Sequence, residues 1–532
     1  MNRRRQVLEN MEMIPDRAGG KPPDELEASL GWPVTPVISG RANAFLAHGT
    51  VRLPSAPAIE LRLVVSGGAT GSVNAELVAE QRRPGEATAT SGPCSRFWAV
   101  VPLLAAGPER EAVLEAEVGL DGGGRLVARL GTISLAKTEP VAAEPASESA
   151  RGIAICMATY EPNLELLRRQ LESIRAQSAD DWICLISDDC SSPRTFARIQ
   201  GLVGDDSRFS ISRSSERLGF YRNYERVLSL VPADVTFIAL ADQDDRWYTD
   251  KLEVLIGEIG ETMLAYSDAR VVDPLGAVRA RTYWTHRHNN WTSLASMAFA
   301  NTVTGAAALF RRELLDIALP FPPAHARFFH DHWLAFAALA AGELTYVDRP
   351  LYDYVQHRQA VLGHEQAHVW ALRRRSRRQR VRHFLDDPDY FYGLWRRTYF
   401  LDYCRVLVFA RVIELRCGDR LSPGKRRVIE RLLAGERSPA SIAWLAARGL
   451  RGWIGRNETL GSEGRILRGL AWRRLLALSA RRPERTNRWL PRDASLPVFD
   501  PTESPAALPD RDSSATSSEA HERTAPEPSS LD

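Results

Sequence analysis

The sequence predicts a three-part chain: an all-β, sandwich-like domain over residues 36–136, an α/β domain with a mostly parallel sheet over 151–363, and a helical region over 364–490. Three observations predict it. Between 36 and 136, short runs alternate apolar and polar residues, with Gly- and Pro-rich breaks between them. After 151 the period switches, and buried-strand runs alternate with apolar residues at helical spacing. After 364 the pattern is helical and basic. Around these parts the composition marks a mobile leader (1–35), a Pro- and Glu-containing linker (137–150) and a disordered tail (491–532) rich in Pro, Ser, Glu and Ala.

The β elements come first. Ile59, Leu61 and Leu63 alternate with Glu60 and Arg62; Leu114, Ala116 and Val118 alternate with Glu115 and Glu117; Phe97, Ala99 and Val101 repeat the pattern. The breaks are Ser66-Gly-Gly, Arg83-Pro-Gly and Asp121-Gly-Gly-Gly. Such strands suit a small antiparallel sandwich. It is either a packing domain or a carbohydrate- or partner-binding module. In the α/β part, Ile153–Met157, Trp182–Ile186, Phe209–Ser212 and Val235–Leu240 read as strands. Between them, Leu164, Leu167, Leu171 and Ile174, then Pro193–Val203, then Tyr221–Leu230 read as helices. This β-α-β-α-β-α-β order implies a mostly parallel sheet with helices on both faces. In the last region, Arg373–Arg380, Lys425-Arg-Arg, Arg473-Arg and Arg481-Arg lie among apolar residues. They make either a solvated basic face or a contact with anionic lipid.

Composition bounds the function. A formal net charge of +3 over 532 residues is too small to argue for nucleic acid. The six cysteines form no C-x-x-C pair, which disfavours a structural zinc site and suits a reducing compartment. No apolar run is long enough for a membrane span, and Met1-Asn-Arg-Arg-Arg leads into no apolar signal core. A cytoplasmic protein, either soluble or peripheral at the inner membrane face, is expected.

The fourth strand stops at Asp242, Asp244 and Asp245. On an extended chain Asp242 and Asp244 share a side, and like charges that close repel unless a cation lies between them. Mg²⁺ or Mn²⁺ suits carboxylates combined with phosphate oxygens. The plain alternative is an acidic turn before a helix starting near Tyr248. The first strand ends in Ala158-Thr-Tyr-Glu-Pro162 without G-x-G-x-x-G, which disfavours a dinucleotide site. After the second strand, Asp188 and Asp189 can accept from a base imide or cap the helix after Pro193. Arg217 and Arg222 can face a diphosphate or lie on the surface. Asp331, before Trp333, Leu334 and Phe336, is a helix N-cap or a base whose pKa is raised by an apolar surface.

In order, Ala158-Thr-Tyr-Glu161, Gln177, Ser187-Asp-Asp189, Gly219, Asn223, Asp242-Gln-Asp-Asp245, Trp247, Asp250-Lys251, Thr304-Gly305, His330-Asp331, Trp333 and Gln356-His357 carry a resemblance. Residues 152–363 resemble the family-2 glycosyltransferases of the GT-A fold, especially bacterial rhamnosyltransferase-like members. The resemblance implies Tyr160, Glu161 and Asp189 around the nucleotide, Asp242 and Asp244 at a divalent cation (Mn²⁺ or Mg²⁺), and Asp331 as catalytic base. The expected site adds Thr159, Asp188, Arg222 and Asp242 on the nucleotide-sugar and His357 as a further metal ligand. Arg358–Leu362 departs from the Asn-containing segment of the family. The implied function is inverting, metal-dependent transfer of a sugar from a nucleoside-diphosphate donor to a glycan or lipid-linked glycan, with no nucleic-acid partner. The rivals are a nucleotidyltransferase of the same fold and a non-catalytic carbohydrate-binding scaffold.

Overall fold

The computed structural model describes residues 26–31, 37–38, 41–53, 58, 60–79, 94–105, 110–120, 124–136, 152–285, 287–326, 328–357, 387–480 and 491. The linker 137–150, the Arg373–Arg380 run and the tail from 492 lie outside the described residues.

The first part is all β: β1 (Glu27–Leu30), β2 (Val37–Ile38), β3 (Asn43–Arg52), β4 (Glu60–Gly67), β5 (Ala69–Asn74), β6 (Glu76–Ala79), β7 (Cys94–Ala105), β8 (Glu111–Gly119) and β9 (Arg125–Ala136). They pair in the order β1-β3-β7-β5-β4-β8-β9-β2, with β6 on β7. The wrapped sheet encloses a core of Phe45, Leu61, Leu63, Phe97, Val101, Leu114 and Val118. Strand β1 corrects the sequence reading, which assigned 1–35 to a mobile leader. Leu26 and Ala28 are buried, and Glu27–Leu30 pairs with the edge of β3 from Arg52 to Gly49. Four residues of alternating pattern are too few to stand out until an edge strand offers them a partner.

The α/β part follows the expected order: β10 (Ile153–Thr159), α1 (Leu164–Arg175), β11 (Trp182–Asp188), α2 (Pro193–Val203), β12 (Phe209–Arg213), α3 (Phe220–Ser229), β13 (Phe237–Ala241). Strands β12-β11-β10-β13 are parallel. Then come β14 (Arg246–Trp247), α4 (Lys251–Ile259), β15 (Leu264–Val272), β16 (Val278–Ala280), α5 (Leu294–Phe299), β17 (Ala308–Arg311), α6 (Leu315–Ala318), α7 (His330–Ala341) and β18 (Leu344–Val355). This half is mixed: β17 lies antiparallel between β13 and β15, while β15 and β18 are parallel. Helix α1 begins where the Asn163 side chain accepts from the N–H groups of Glu165 and Leu166. Its Leu167, Leu171 and Ile174 stripe is fully buried, as the spacing requires.

The third part is α8 (Pro388–Arg397), a π-turn over Thr398–Tyr403, α9 (Cys404–Cys417), α10 (Pro423–Ala434), α11 (Pro439–Gly449) and α12 (Ser462–Ala480). It is no separate appendage. Val406, Phe409, Val412 and Ile413 of α9 share one core with the α/β sheet. Strand β3 is buried on both faces: Phe45 and Ala47 enter the β core, Ala44 and Leu46 the shared core. Trp98 Nε1 donates to Tyr399 Oη at 3.0 Å, and its ring meets Phe400 at 5.3 Å. Among the arginines of this part, Arg473 of the basic pattern and Arg416 outside it are structural rather than solvated. Arg473 pairs with Glu76. Arg416 donates to the carbonyls of Ala42 (2.7 Å), Ile317 (2.7 Å) and Pro320 (2.7 Å), fastening all three parts together.

Candidate active site

Every expected site residue except Arg222, Asp331 and His357 sits at or just beyond the C-terminal ends of β10, β11 and β13, where parallel α/β sheets receive ligands. Asp188 is fully buried and saturated. It accepts from Ser191 N–H (2.9 Å), Ser191 Oγ (2.6 Å) and Thr159 Oγ1 (3.2 Å). Thr159 and Asp188 therefore hold the loop rather than present free groups. Asp189 accepts from the N–H groups of Leu218 (2.5 Å) and Gly219 (2.9 Å). Burial raises its pKa, against these two bonds and the Arg217 charge. Neither aspartate caps α2; the cap is Ser192, whose Oγ accepts from Thr195 N–H.

Glu161 stands at that same helix start, accepting from Ser192 N–H (2.6 Å) and Thr195 Oγ1 (2.7 Å). The Ser192 bond, then the Thr195 bond, holds its pKa below the usual carboxylate range. Glu161 (φ 37°) and Cys190 (φ 60°) are two of three non-glycine residues with positive φ among those described. Strained backbone of this kind concentrates at functional sites. Tyr160 is exposed, and the Arg217 guanidinium lies over its ring at 4.3 Å. Arg222 departs from expectation. It pairs with Glu225, one turn along α3, whose other oxygen accepts from Phe321 N–H at 2.7 Å. The buried backbone of Phe321 needs that carboxylate, and the carboxylate claims the arginine; Arg217 is the arginine stacked at the cleft.

The carboxylates are reached by a different path from the one the sequence suggests. Residues 242–245 form a turn, so strand alternation does not align Asp242 with Asp244. The turn is fastened from outside. Gln243 Oε1 accepts from Tyr160 N–H (2.9 Å), tying it to the end of β10. Tyr224 Oη donates to Asp242 Oδ1 at 2.7 Å. Burial and the Asp244 charge push the Asp242 pKa up to about 6. His357 Nε2 lies 2.7 Å from Asp244 Oδ2, and this bond raises the histidine pKa. Asp245 is buried and accepts from Val355 N–H at 3.1 Å, joining the turn to β18. Fully buried Lys251 donates to the Ala306 carbonyl and rests 3.5 Å from the Trp247 ring. Burial lowers its pKa, while Asp245 and Asp242 oppose that.

Among the described residues no group of three or more His, Cys, Asp and Glu is arranged to hold a metal by itself. The donors do fit a cation shared with a ligand. Burial and then the Asp244 charge raise the Asp242 pKa, and a divalent ion between carboxylates relieves that repulsion and takes phosphate oxygens for its remaining positions.

Asp331 stands on the first turn of α7, whose N-cap is Phe329, a residue with no side-chain capping bond. Asp331 is therefore not the N-cap residue, although its carboxylate meets a first-turn N–H. Its Oδ1 accepts from the next N–H, His332, at 2.6 Å. Burial pushes its pKa up to about 7, with Asp242 adding to the rise. Beside it, His330 stacks on Tyr224 with centroids 3.5 Å apart at 16°, and neither ring nitrogen has a partner among the described residues. Burial lowers the His330 pKa to about 3, so it is a neutral spacer. Tyr224 thus touches both halves of the site, the carboxylate turn and the α7 start. Sequence reading missed it, and its only signal was its place on the buried stripe of α3. Gly305 completes the packing: a Cβ there would lie 2.7 Å from His330 Nε2. Gly305→Ala is expected to cost about 1–3 kcal/mol as overpacking. Thermal unfolding checks it; an unchanged melting temperature would mean that the histidine ring slides freely.

Residues 154–317 match the family model described as Glycosyl transferase family 2. The match takes in the β10 and β11 ends and the carboxylate turn, and stops before Asp331 and His357. No curated protein matches the chain. Solved structures similar to it include S. aureus TarS 1–349 in complex with UDP-GlcNAc, at 13% identity over 66% of this chain and 99% of that one, TM-score 0.35. The mannosyltransferase PcManGT from Pyrobaculum calidifontis, with GDP-Man and Mn²⁺, is 14% identical over 61% and 88%, TM-score 0.33. Glucosyl-3-phosphoglycerate synthase from Mycobacterium tuberculosis, with Mn²⁺, UDP and glucosyl-3-phosphoglycerate, is 15% identical over 40% and 73%, TM-score 0.28.

Proposed function

We propose that this chain is an inverting, metal-dependent glycosyltransferase that moves a sugar from a nucleoside-diphosphate donor to a hydroxyl of a polysaccharide or glycolipid acceptor. The family 2 glycosyltransferase domain at 154–317 supports sugar transfer. The observation that carries the mechanism is a carboxyl group, Asp331, poised near pH 7 by burial and within electrostatic reach of Asp242. A base with that pKa is matched to taking a proton from an acceptor hydroxyl at neutral pH. The acceptor oxygen then attacks the anomeric carbon while the bond to the diphosphate oxygen breaks on the opposite side, so the configuration inverts. The proton ends on Asp331 and the electron pair on the leaving diphosphate. Asp242 and Asp244 would hold the divalent cation, whose chemistry is to neutralise charge on that leaving group. Tyr160, Arg217 and the strained loops at Glu161 and Cys190 shape the nucleotide end. Among the described residues no helix is long and apolar enough to cross a membrane.

The test incubates the full chain with UDP-, GDP- and dTDP-sugars and Mn²⁺. Release of nucleoside diphosphate from one of them is expected. No release from any would reject the reading. Pyrophosphate release from a nucleoside triphosphate and a sugar phosphate would favour the nucleotidyltransferase instead.

A further inference from the structure

Tyr224 and His330 carry no step of the chemistry above, yet they connect its two ends. Tyr224 is buried on α3. Its hydroxyl donates to Asp242 Oδ1 (2.7 Å) and lies 2.9 Å from the Ala241 carbonyl, so it meets the carboxylate turn where β13 ends. Its ring stacks on His330 with centroids 3.5 Å apart, and His330 directly precedes Asp331. The helix that carries Tyr224 is itself pinned. Ser187 Oγ donates to Asn223 Oδ1 (2.6 Å), and Asn223 Nδ2 donates to the Ser187 carbonyl (2.8 Å), which ties α3 to the end of β11. Val227 and Leu228 are buried one turn on. Tyr224 is therefore a fixed mount.

His330 is the unusual member of the pair. Both ring nitrogens are buried without a partner among the described residues, and burial keeps the ring neutral. A buried polar group left unpaired costs stability, so its presence calls for a reason other than packing. An aliphatic side chain would avoid that cost, but it has no flat face to lay on the tyrosine. The room is also narrow, since a Cβ at Gly305 would lie 2.7 Å from His330 Nε2. A flat ring held there passes the position of Tyr224 on to the first turn of α7. The carboxylates at the two ends are within electrostatic reach of each other, because Asp242 adds to the rise of the Asp331 pKa.

In an inverting transfer the base serves the incoming oxygen and the cation serves the leaving one, on opposite sides of one carbon. Their separation has to be held, because small misplacements of catalytic groups are costly in rate. We propose that Tyr224 is a positioning residue: its hydroxyl orients Asp242 for the cation, and its ring, through His330, sets Asp331 relative to that cation. The inference rests on the transferase reading and deepens it: one side chain of α3 keeps the leaving-group end and the acceptor end of the site in register.

The test removes the hydroxyl and the ring separately, on the full chain at pH 8, above the Asp242 pKa of about 6. Tyr224→Phe keeps the ring and loses the hydroxyl. Its Mn²⁺ affinity, by calorimetry without any donor, should weaken about five- to tenfold, the worth of one hydrogen bond. Its kcat at saturating Mn²⁺ and donor should stay within about threefold of wild type, since the stack remains. His330→Ala keeps the hydroxyl and loses the stack. It should bind Mn²⁺ as wild type does and lose kcat by about tenfold or more. Tyr224→Leu should show both losses, and it stands in for His330→Ala if that variant fails to fold, read against Tyr224→Phe. Tyr224→Phe binding Mn²⁺ as tightly as wild type overturns the inference, as does an unchanged kcat in the variants without the stack. Equal losses of Mn²⁺ affinity and kcat in all three variants, the pattern of a core merely loosened, overturn it too. A wild type that binds Mn²⁺ but turns over no nucleotide-sugar rejects the transferase reading, while the calorimetry of Tyr224→Phe still decides whether the hydroxyl orients Asp242.

Discussion

Asp331→Asn is expected to lose transfer activity by 10²–10⁴-fold, the usual contribution of a general base, while folding and binding the donor. The same substitution should make the protein more stable at neutral pH. The carboxyl group has a native pKa of about 7 against a usual carboxylate value of 3.8. A pKa raised on folding means that the native state holds the proton more tightly than the unfolded chain. Its contribution is then fully present below about pH 4, declines as pH rises towards 7, and is gone above. The asparagine variant never bears that ionisation. Its melting temperature should exceed the wild-type value at pH 8 and match it near pH 4. A rise from 3.8 to about 7 sets a ceiling on the order of 4 kcal/mol on this effect. The pH profile gives a second reading: wild-type kcat should fall about tenfold for each pH unit below about pH 7, and this limb belongs to Asp331. A variant with near-wild-type kcat, or one less stable at pH 8, would remove Asp331 as the base; His330 is too far from its ordinary pKa to replace it.

The parts of this site that could be read in advance share one property: their signal is local. A buried run followed by carboxylates is visible within a dozen residues, as is an apolar helix that opens with His330-Asp331. Periodicity likewise shows β10 to β13 and the helices between them, because β10, β11 and β13 are buried on both faces and each helix on one. What escaped reading depends on partners far along the chain. Arg222 looked available for a diphosphate until Glu225 was seen holding Phe321. Asp242 and Asp244 were placed together by strand alternation, whereas a turn pinned by Gln243 to Tyr160 brings their charges into reach. Arg473 reads as part of a solvated basic face because nothing in its neighbourhood announces the carboxylate of Glu76.

The division into three parts is legible in sequence yet misleading about mechanics. The β part has a core of its own, but Trp98 and one face of β3 are buried against the C-terminal helices, whose own apolar face is the back of α7. Arg405 of α9 reaches His332 Nδ1 at 2.5 Å, and His332 Nε2 lies 2.6 Å from the Met297 carbonyl. The residue following the proposed base is thus held on one side by Arg405, from outside the matched family segment, and on the other by Met297, from within it. A boundary drawn at 363 would separate Asp331 from its support.

The second large effect concerns the cation. Mn²⁺ binding, followed by calorimetry without any sugar donor, is expected to be lost or weakened at least a hundredfold in Asp244→Asn and Asp242→Asn. Turnover by wild type should vanish in EDTA and return with Mn²⁺ or Mg²⁺. The titration state of the site makes a sharper demand. Asp242 has a pKa near 6, and His357, bonded to Asp244, is raised above its ordinary value. Carboxylates must be ionised to bind a metal, and a protonated histidine competes for Asp244, so binding must release protons. Affinity should therefore climb as pH rises from about 5.5 to 8 and then level, with more protons released to the buffer at the acid end. In His357→Ala the climb should be shallower, because one of the two titrating groups is gone. If His357 is itself a ligand, that variant also binds more weakly at pH 8; if it only pairs with Asp244, its affinity there equals or exceeds wild type. Turnover undiminished in chelator, or affinity independent of pH, would leave Asp242 and Asp244 as a half-buried acidic turn with no metal to hold.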